Sequence, residues 1–207
     1  MTLMRDASRL SRDFYTRDPV AVARGLLGQR LVRVLDDGSR LAGLVVETEA
    51  YLGLRDKAAH TYRGRKTRRN ASMWREGGHA YVYFTYGMHH CLNAVAGVEG
   101  HPVAVLVRAL QPTEGLARMH TLRGGARRER DLCSGPGKLC QALAIDRRLD
   151  GADLVAGGAL FVEQLRARAH RSSAIVRTTR VGVDYAGEWA HRPLRFYLRE
   201  NVHVSRR

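Results

Sequence analysis

The sequence predicts a mixed α+β protein folded as a single domain over residues 1–207. Three observations predict it. With 207 residues and 44% apolar content, the chain can bury one core, and no repeat, low-complexity tract or linker divides it. Two stretches alternate with period two about turn residues, which is hairpin patterning. A third, Asp18-Pro19-VAVARGLL-Gly28, carries the start and stop signals of a helix: an N-cap, a proline at the first helical position and a terminating glycine.

The elements follow in order. The first roughly ten residues are expected to be flexible. After the capped helix, Arg30 to Leu35 and Arg40 to Glu49 flank Asp36-Asp37-Gly38-Ser39, a first hairpin. Its second strand ends in VVETEAY. Alternate residues of a strand share a face, so Val45, Glu47, Glu49 and Tyr51 are expected to point one way, and Val46, Thr48 and Ala50 the other. Acids beside an aromatic suit the floor of a site; at a strand emerging into solvent they would be ordinary surface charges. Residues 63 to 69 hold Arg63, Arg65, Lys66, Arg68 and Arg69 without apolar periodicity, which reads as a loop able to clamp phosphate.

The second hairpin is HAYVYFTYGMHHCLNAVAG. Tyr81, Tyr83 and Thr85 share one face, and Val82, Phe84 and Tyr86 the other. Gly87 permits a tight turn, which places Tyr86 near the tip, where an aromatic can act as a wedge between bases. His89 and His90 face opposite ways and cannot ligate one metal. Pro102 to Leu110 is an apolar strand interrupted by Arg108, a charge that is costly there unless a neighbouring carboxylate or a substrate pairs with it. A helix is expected over Thr113 to Leu122, then a second basic cluster of Arg127, Arg128 and Arg130. Ser134 is expected to cap a helix starting at Pro136, with Lys138 in the first turn, where backbone N–H groups favour an anion. Further strands are expected at Ala159–Val162, at Ile175–Val183 and around Phe196-Tyr197-Leu198.

Charge narrows the function. Formal net charge is +15. Of 35 basic residues three are lysines (Lys57, Lys66, Lys138) and 32 are arginines, whose planar fork suits phosphate. Such a surface implies a polyanionic partner, nucleic acid first. No run of 18 apolar residues predicts a membrane span, and MTLMRDASRLSRDF lacks the apolar centre of a signal peptide. Cys91, Cys133 and Cys140 are odd in number with no CxxC spacing, which predicts reduced thiols in a cytoplasmic protein of bacterial type, nucleoid-associated through its nucleic-acid binding. Neither GxGxxG after a strand nor a P-loop occurs, so no nucleotide cofactor is implied.

Together the residues fit chemistry on one base of a duplex. The base must leave the stack. A wedge fills the gap, aromatic walls hold the base, and a carboxylate activates water and stabilises positive charge developing on the sugar. A noncatalytic nucleic-acid-binding module would explain the charge and the tyrosines, but not a carboxylate facing the same cavity. An RNA N-glycosidase is a third reading.

ETEAYLG, AAH, the YVYFTYGM hairpin, Asn93, LVRAL, CSGPGKLCQALAI and the AGEWA-RPLRFY tail resemble the alkyladenine (3-methyladenine) DNA glycosylase family, in one order from about Leu26 to Val204. The resemblance implies a single mixed α+β domain on a curved antiparallel sheet flanked by helices, with a protruding DNA-inserting hairpin. It implies removal of damaged purines from double-stranded DNA: 3-methyladenine, 7-methylguanine, hypoxanthine and ethenoadenine. It selects Glu49 over Glu47 as the base for water, with Arg108 helping to hold that water. Tyr51, His60 and Tyr83 become pocket walls, and Asn93 a floor residue that screens bases. Tyr86 becomes the inserted tyrosine, with Met88, Arg65, Thr67, Arg69 and Lys138 on the DNA. At Met88-His89-His90 the chain departs from relatives that place an aromatic after the methionine, and the N-terminus lacks a long regulatory extension. With three lysines and none evidently placed for a Schiff base, a monofunctional, monomeric enzyme using water and neither metal nor cofactor is expected.

Overall fold

The computed structural model describes residues 8–85 and 87–207. Tyr86, the expected wedge, and residues 1–7 lie outside the described residues.

The first hairpin forms from β1 (Arg30–Val34) and β2 (Arg40–Tyr51), and the second from β3 (Ala80–Thr85) and β4 (His89–Ala96). With β5 (Val103–Glu114), β6 (Leu160–Glu163), β7 (Ile175–Thr178) and β8 (Arg195–Leu198) they build one antiparallel sheet. Its main path runs β3-β4-β5-β2-β1-β6, and β8 joins β2 to β7. β2 is the hub. One edge pairs with β5; the other pairs first with β1 over Arg40–Leu44, then with β8 over Glu47–Glu49. An edge shared between two partners opens the sheet and curls it, as expected of a curved antiparallel fold.

Bulges concentrate at the hub. Val45 faces Leu110 and Glu47 faces Ala109, so Val46 is extra on β2; Thr48 then faces Val107, so Arg108 is extra on β5. Paired bulges restore the register while re-aiming side chains. They overturn one strand-face expectation. Val45 packs in the main core with Ala50 instead of standing beside the acids, because the bulge breaks the period of two.

Among the described residues four α-helices flank the sheet: α1 (Arg12–Tyr15), α2 (Pro19–Leu26), α3 (Leu116–Arg123) and α4 (Pro136–Ala142). Asp18 Oδ1 caps α2 by accepting from the Val20 and Ala21 N–H groups at 2.9 and 3.2 Å. This helix covers the face of β2 away from the acids, where Thr48 Oγ1 donates to the Ala23 carbonyl at 2.9 Å.

Three further expectations are corrected. The helix expected from Thr113 begins at Leu116, because β5 continues to Glu114, which pairs with Ala42 and takes Arg40 at 3.0 Å. Gly115 makes the turn at φ +78, where a Cβ would collide with the Leu41 side chain. Ser134 is not the cap of α4. Its backbone bridges to Ala109, and Gly135 takes the cap position without a side-chain bond. β7 ends at Thr178 instead of Val183, since Arg180 turns inward to a buried partner, Asp56. Cys91, Cys133 and Cys140 are free and buried. No helix among the described residues is long and apolar enough to cross a membrane.

Candidate active site

The two acids of β2 are both fully buried but differ in their partners. Glu47 Oε1 accepts from Arg108 Nε at 2.9 Å and from Arg195 Nη1 at 2.8 Å. Its Oε2 accepts from the Ser205 N–H at 2.7 Å. It is an internal counter-ion. Glu49 Oε1 accepts from the Val181 N–H at 2.8 Å and lies 3.2 Å from Arg108 Nη1; its Oε2 accepts from the Tyr51 hydroxyl at 2.9 Å. Burial pushes the Glu49 carboxyl above the ordinary glutamate range, against the pull of Arg108, the Val181 N–H and the Tyr51 hydroxyl. Two carboxylates and two guanidinium groups balance, which is what allows four charges below the sheet surface. Arg108 thus has the neighbouring-strand carboxylate that its apolar run demanded.

Tyr51, Arg108 and Val181, the three partners of Glu49, all line a cavity of about 190 Å³. At ~30 Å³ per water that is about six waters, the scale of one heteroaromatic base. Its walls are aromatic. Tyr83 and His60 meet edge to face at 4.6 Å, and Tyr81 lies tilted against Tyr83 at 5.3 Å. His60 Nδ1 shares a hydrogen bond of 2.8 Å with the Tyr81 hydroxyl. Burial, then Arg69 and Arg65, push the His60 pKa down to about 4. The imidazole is therefore neutral at physiological pH and adds no charge to the wall. Asn93, opposite Tyr81 in the hairpin register, also lines the cavity, with Nδ2 donating to the Tyr81 carbonyl at 3.1 Å.

Beyond His60 a second cavity of about 320 Å³ is lined by Lys57, Arg65, Thr67 and Arg69. Asn70, which sequence reasoning passed over, holds this loop. Its Oδ1 accepts from the Thr67 N–H at 2.7 Å and its Nδ2 donates to the His60 and Arg65 carbonyls. Arg69 reaches the hairpin, donating to the Phe84 carbonyl at 2.8 Å with its guanidinium 5.3 Å from the Tyr83 ring. Met88 is 69% exposed at the hairpin turn. Lys138 is exposed on α4, two residues from Pro136, which lines the base-sized cavity.

The sequence-predicted residues thus divide. Glu49, Arg108, Tyr51, His60, Tyr83 and Asn93 converge on one cavity and its floor. Arg65, Thr67 and Arg69 line its neighbour, while Met88 and Lys138 stand outside both. Also missed were Asp56, Arg180 and Arg195. Arg180 had a signal: like Arg108, it interrupts an otherwise strand-like run. Among the described residues no group of three or more His, Cys, Asp or Glu side chains could hold a metal.

A profile of the methylpurine-DNA glycosylase family matches residues 13–202. The chain is 52% identical over 198 residues to a Methanocella arvoryzae protein named "Putative 3-methyladenine DNA glycosylase", covering 96% of each. It is 46% identical over 206 residues to the human DNA-3-methyladenine glycosylase, covering 96% of this chain and 68% of that protein. It is 45% identical over 207 residues to the mouse DNA-3-methyladenine glycosylase, of whose length it spans 62%. The chain belongs to the methylpurine-DNA glycosylase family and is a hydrolase of the N-glycosidic bond.

Proposed function

We propose that this chain is a single-domain, monomeric DNA-repair glycosylase that draws damaged purines out of duplex DNA and hydrolyses their N-glycosidic bond, leaving an abasic site. One observation carries the reading: a fully buried carboxylate, Glu49, lies under a base-sized aromatic cavity and bonds three of its lining residues. Burial makes it a stronger base than an exposed glutamate, and Arg108 beside it can hold the water it deprotonates. The same negative charge stabilises the cationic sugar of the transition state. Alkylation makes a purine cationic and a good leaving group, so water attacks as the base departs. The substrates are the 3-methyladenine, 7-methylguanine, hypoxanthine and ethenoadenine class. Stacking on Tyr51, Tyr83 and His60 contributes ~1–3 kcal/mol per face towards the few kcal/mol that extrusion costs. Tyr86 is the wedge that fills the vacated stack, and Met88 and Lys138 contact the flanking duplex.

Incubating the protein with duplex DNA carrying one damaged purine tests the reading. Free base and an uncleaved abasic strand are expected. Tight binding without base release would make it a binding module, and faster release from RNA would make it an RNA N-glycosidase.

The second cavity supplies backbone contacts in this reading. Affinity for undamaged duplex should fall with salt at a log–log slope of about −0.9 per phosphate neutralised. Arg65→Ala should flatten that slope by about one unit. Arg69→Ala should do the same and also loosen the hairpin, because Arg69 holds the Phe84 carbonyl. Salt titrations of Kd measure both; unchanged slopes would leave these arginines as a solvated face.

Asn93 is the proposed screen against guanine. Guanine carries an exocyclic amino group that adenine-like bases lack. Accommodating it would move the Asn93 carboxamide off the Tyr81 carbonyl, and a buried polar group left unpaired costs ~1–3 kcal/mol. Asn93→Ala should raise excision of 7-methylguanine relative to ethenoadenine by about ten- to a hundredfold. Single-turnover rates on the two bases decide it. Equal slowing on both would show that Asn93 only ties β3 to β4.

A further inference from the structure

Arg180 and Asp56 form a bidentate ion pair at 2.6 and 2.9 Å, and both side chains are 0% exposed. Arg180 also donates to the Ala50 and Trp189 carbonyls at 3.1 and 3.3 Å. Asp56 accepts from the Leu52 and Ala58 N–H groups at 3.0 Å each. An ion pair this deep is weak evidence for stability alone, since packed apolar residues often serve a core as well. Neither group takes part in the hydrolytic step. Arg180 reaches the base site at two points.

The first point is Glu49. Val181 follows Arg180 directly and donates its N–H to Glu49 Oε1 at 2.8 Å. Val181, Gly182 and Val183 then line the cavity. Arg180 therefore anchors the segment that orients the carboxylate.

The second point is Tyr51. The Arg180 guanidinium lies 4.7 Å from the Tyr51 ring centroid, while the ring itself lines the cavity. The positive end of the Asp56–Arg180 pair thus lies over a ring that lines the cavity, while Arg180 itself does not line it. A cation on one face engages the ring's negative quadrupole. The face left for a base is then a poorer partner for a second cation than for a neutral ring. Damaged purines come in both kinds: N7-alkylated rings are cationic, whereas etheno and deaminated rings are neutral.

We propose that the Asp56–Arg180 pair is a positioning and specificity-determining element, which holds Val181 against Glu49 and, through Tyr51, tilts the cavity toward neutral over cationic purines. This rests on the base-excision reading above.

The experiment uses the full chain and duplexes carrying one 7-methylguanine or one ethenoadenine, with single-turnover rates across pH. The double variant Asp56→Asn/Arg180→Gln keeps the shapes and removes both charges. Its 7-methylguanine to ethenoadenine rate ratio should rise about two- to fivefold. Its acid limb should also move to higher pH. A looser Val181 N–H and the loss of the nearby Arg180 charge both stabilise the carboxylate less, so Glu49 takes its proton earlier as pH falls, while Arg108, Tyr51 and Glu47 around it are unchanged. In a Tyr51→Leu background the ratio should no longer respond. Equal slowing on both bases with an unmoved acid limb would reduce the pair to scaffolding and overturn the proposal. If the double variant fails to fold, Asp56→Asn/Arg180→Met serves, since it also removes both charges and leaves no buried charge unpaired; an unchanged ratio and limb there would overturn the proposal equally. Wild-type protein that releases neither base would instead remove the base-excision reading itself, a failure distinguishable from the others.

Discussion

Glu49→Gln is expected to slow base release by about 10²–10⁴-fold, the range of a lost general base, while duplex affinity stays within a few-fold. The carboxamide keeps the shape and can still accept from the Val181 N–H, but it cannot take a proton from water or face a cationic sugar with negative charge. Stability should change less than at Glu47, because relief of a buried charge offsets the counter-charge that Arg108 loses. Burial raises the Glu49 pKa in the folded state, so the fold binds the proton more tightly than the unfolded chain does. The stabilisation is full below the unfolded pKa and is lost as pH rises through the raised folded value. At neutral pH wild type therefore carries the cost of a buried charge, which the glutamine lacks. Single-turnover excision, a binding titration and a thermal melt together check this. Near-wild-type excision by the variant would end the role of Glu49. The acid limb of the wild-type rate profile should accordingly lie above the ordinary glutamate pKa.

Much of the site was legible because β-sheet periodicity is local. Tyr81 and Tyr83 face one cavity because their strand alternates, and that strand could be read alone; Asn93, which faces the same cavity, was marked only by the resemblance. Arg108 was legible because a lone guanidinium in an apolar strand demands a partner. The choice between Glu47 and Glu49 was not. Both sit on one face two residues apart, and what separates them lies far away: Arg195 and Ser205 for one, Val181 for the other. Val45 was misread for a related reason, since a bulge is set by the register with β5 and leaves no mark on β2 itself. The start of α3 and the end of β7 failed where long-range pairs, Arg40–Glu114 and Asp56–Arg180, overrode local pattern. Resemblance of ordered motifs, not strand geometry, was what singled out Glu49.

The second large effect is expected at Glu47, in stability before activity. Glu47→Ala removes the acceptor of Arg108 Nε, Arg195 Nη1 and the Ser205 N–H at once, at a site with no exposure. Two guanidinium groups are then left short of their counter-charge below the sheet. Breaking a buried pair from one side costs ~3–5 kcal/mol, a large part of the ~5–15 kcal/mol that holds a domain together. The melting temperature should drop on the order of 10 °C. β8 should loosen first, because Arg195 belongs to it and Glu47 faces Tyr197 across the β2–β8 pairing. Glu47→Gln should cost less, since its carboxamide oxygen can still accept one guanidinium bond. At a temperature where either variant remains folded, excision should persist, slowed by whatever freedom Arg108 gains beside Glu49. Urea unfolding paired with single-turnover excision separates the two acids. If Glu47→Gln were inactive with a wild-type melt while Glu49→Gln kept its activity, the roles would be exchanged, and the water would belong on the Arg195 side of Arg108.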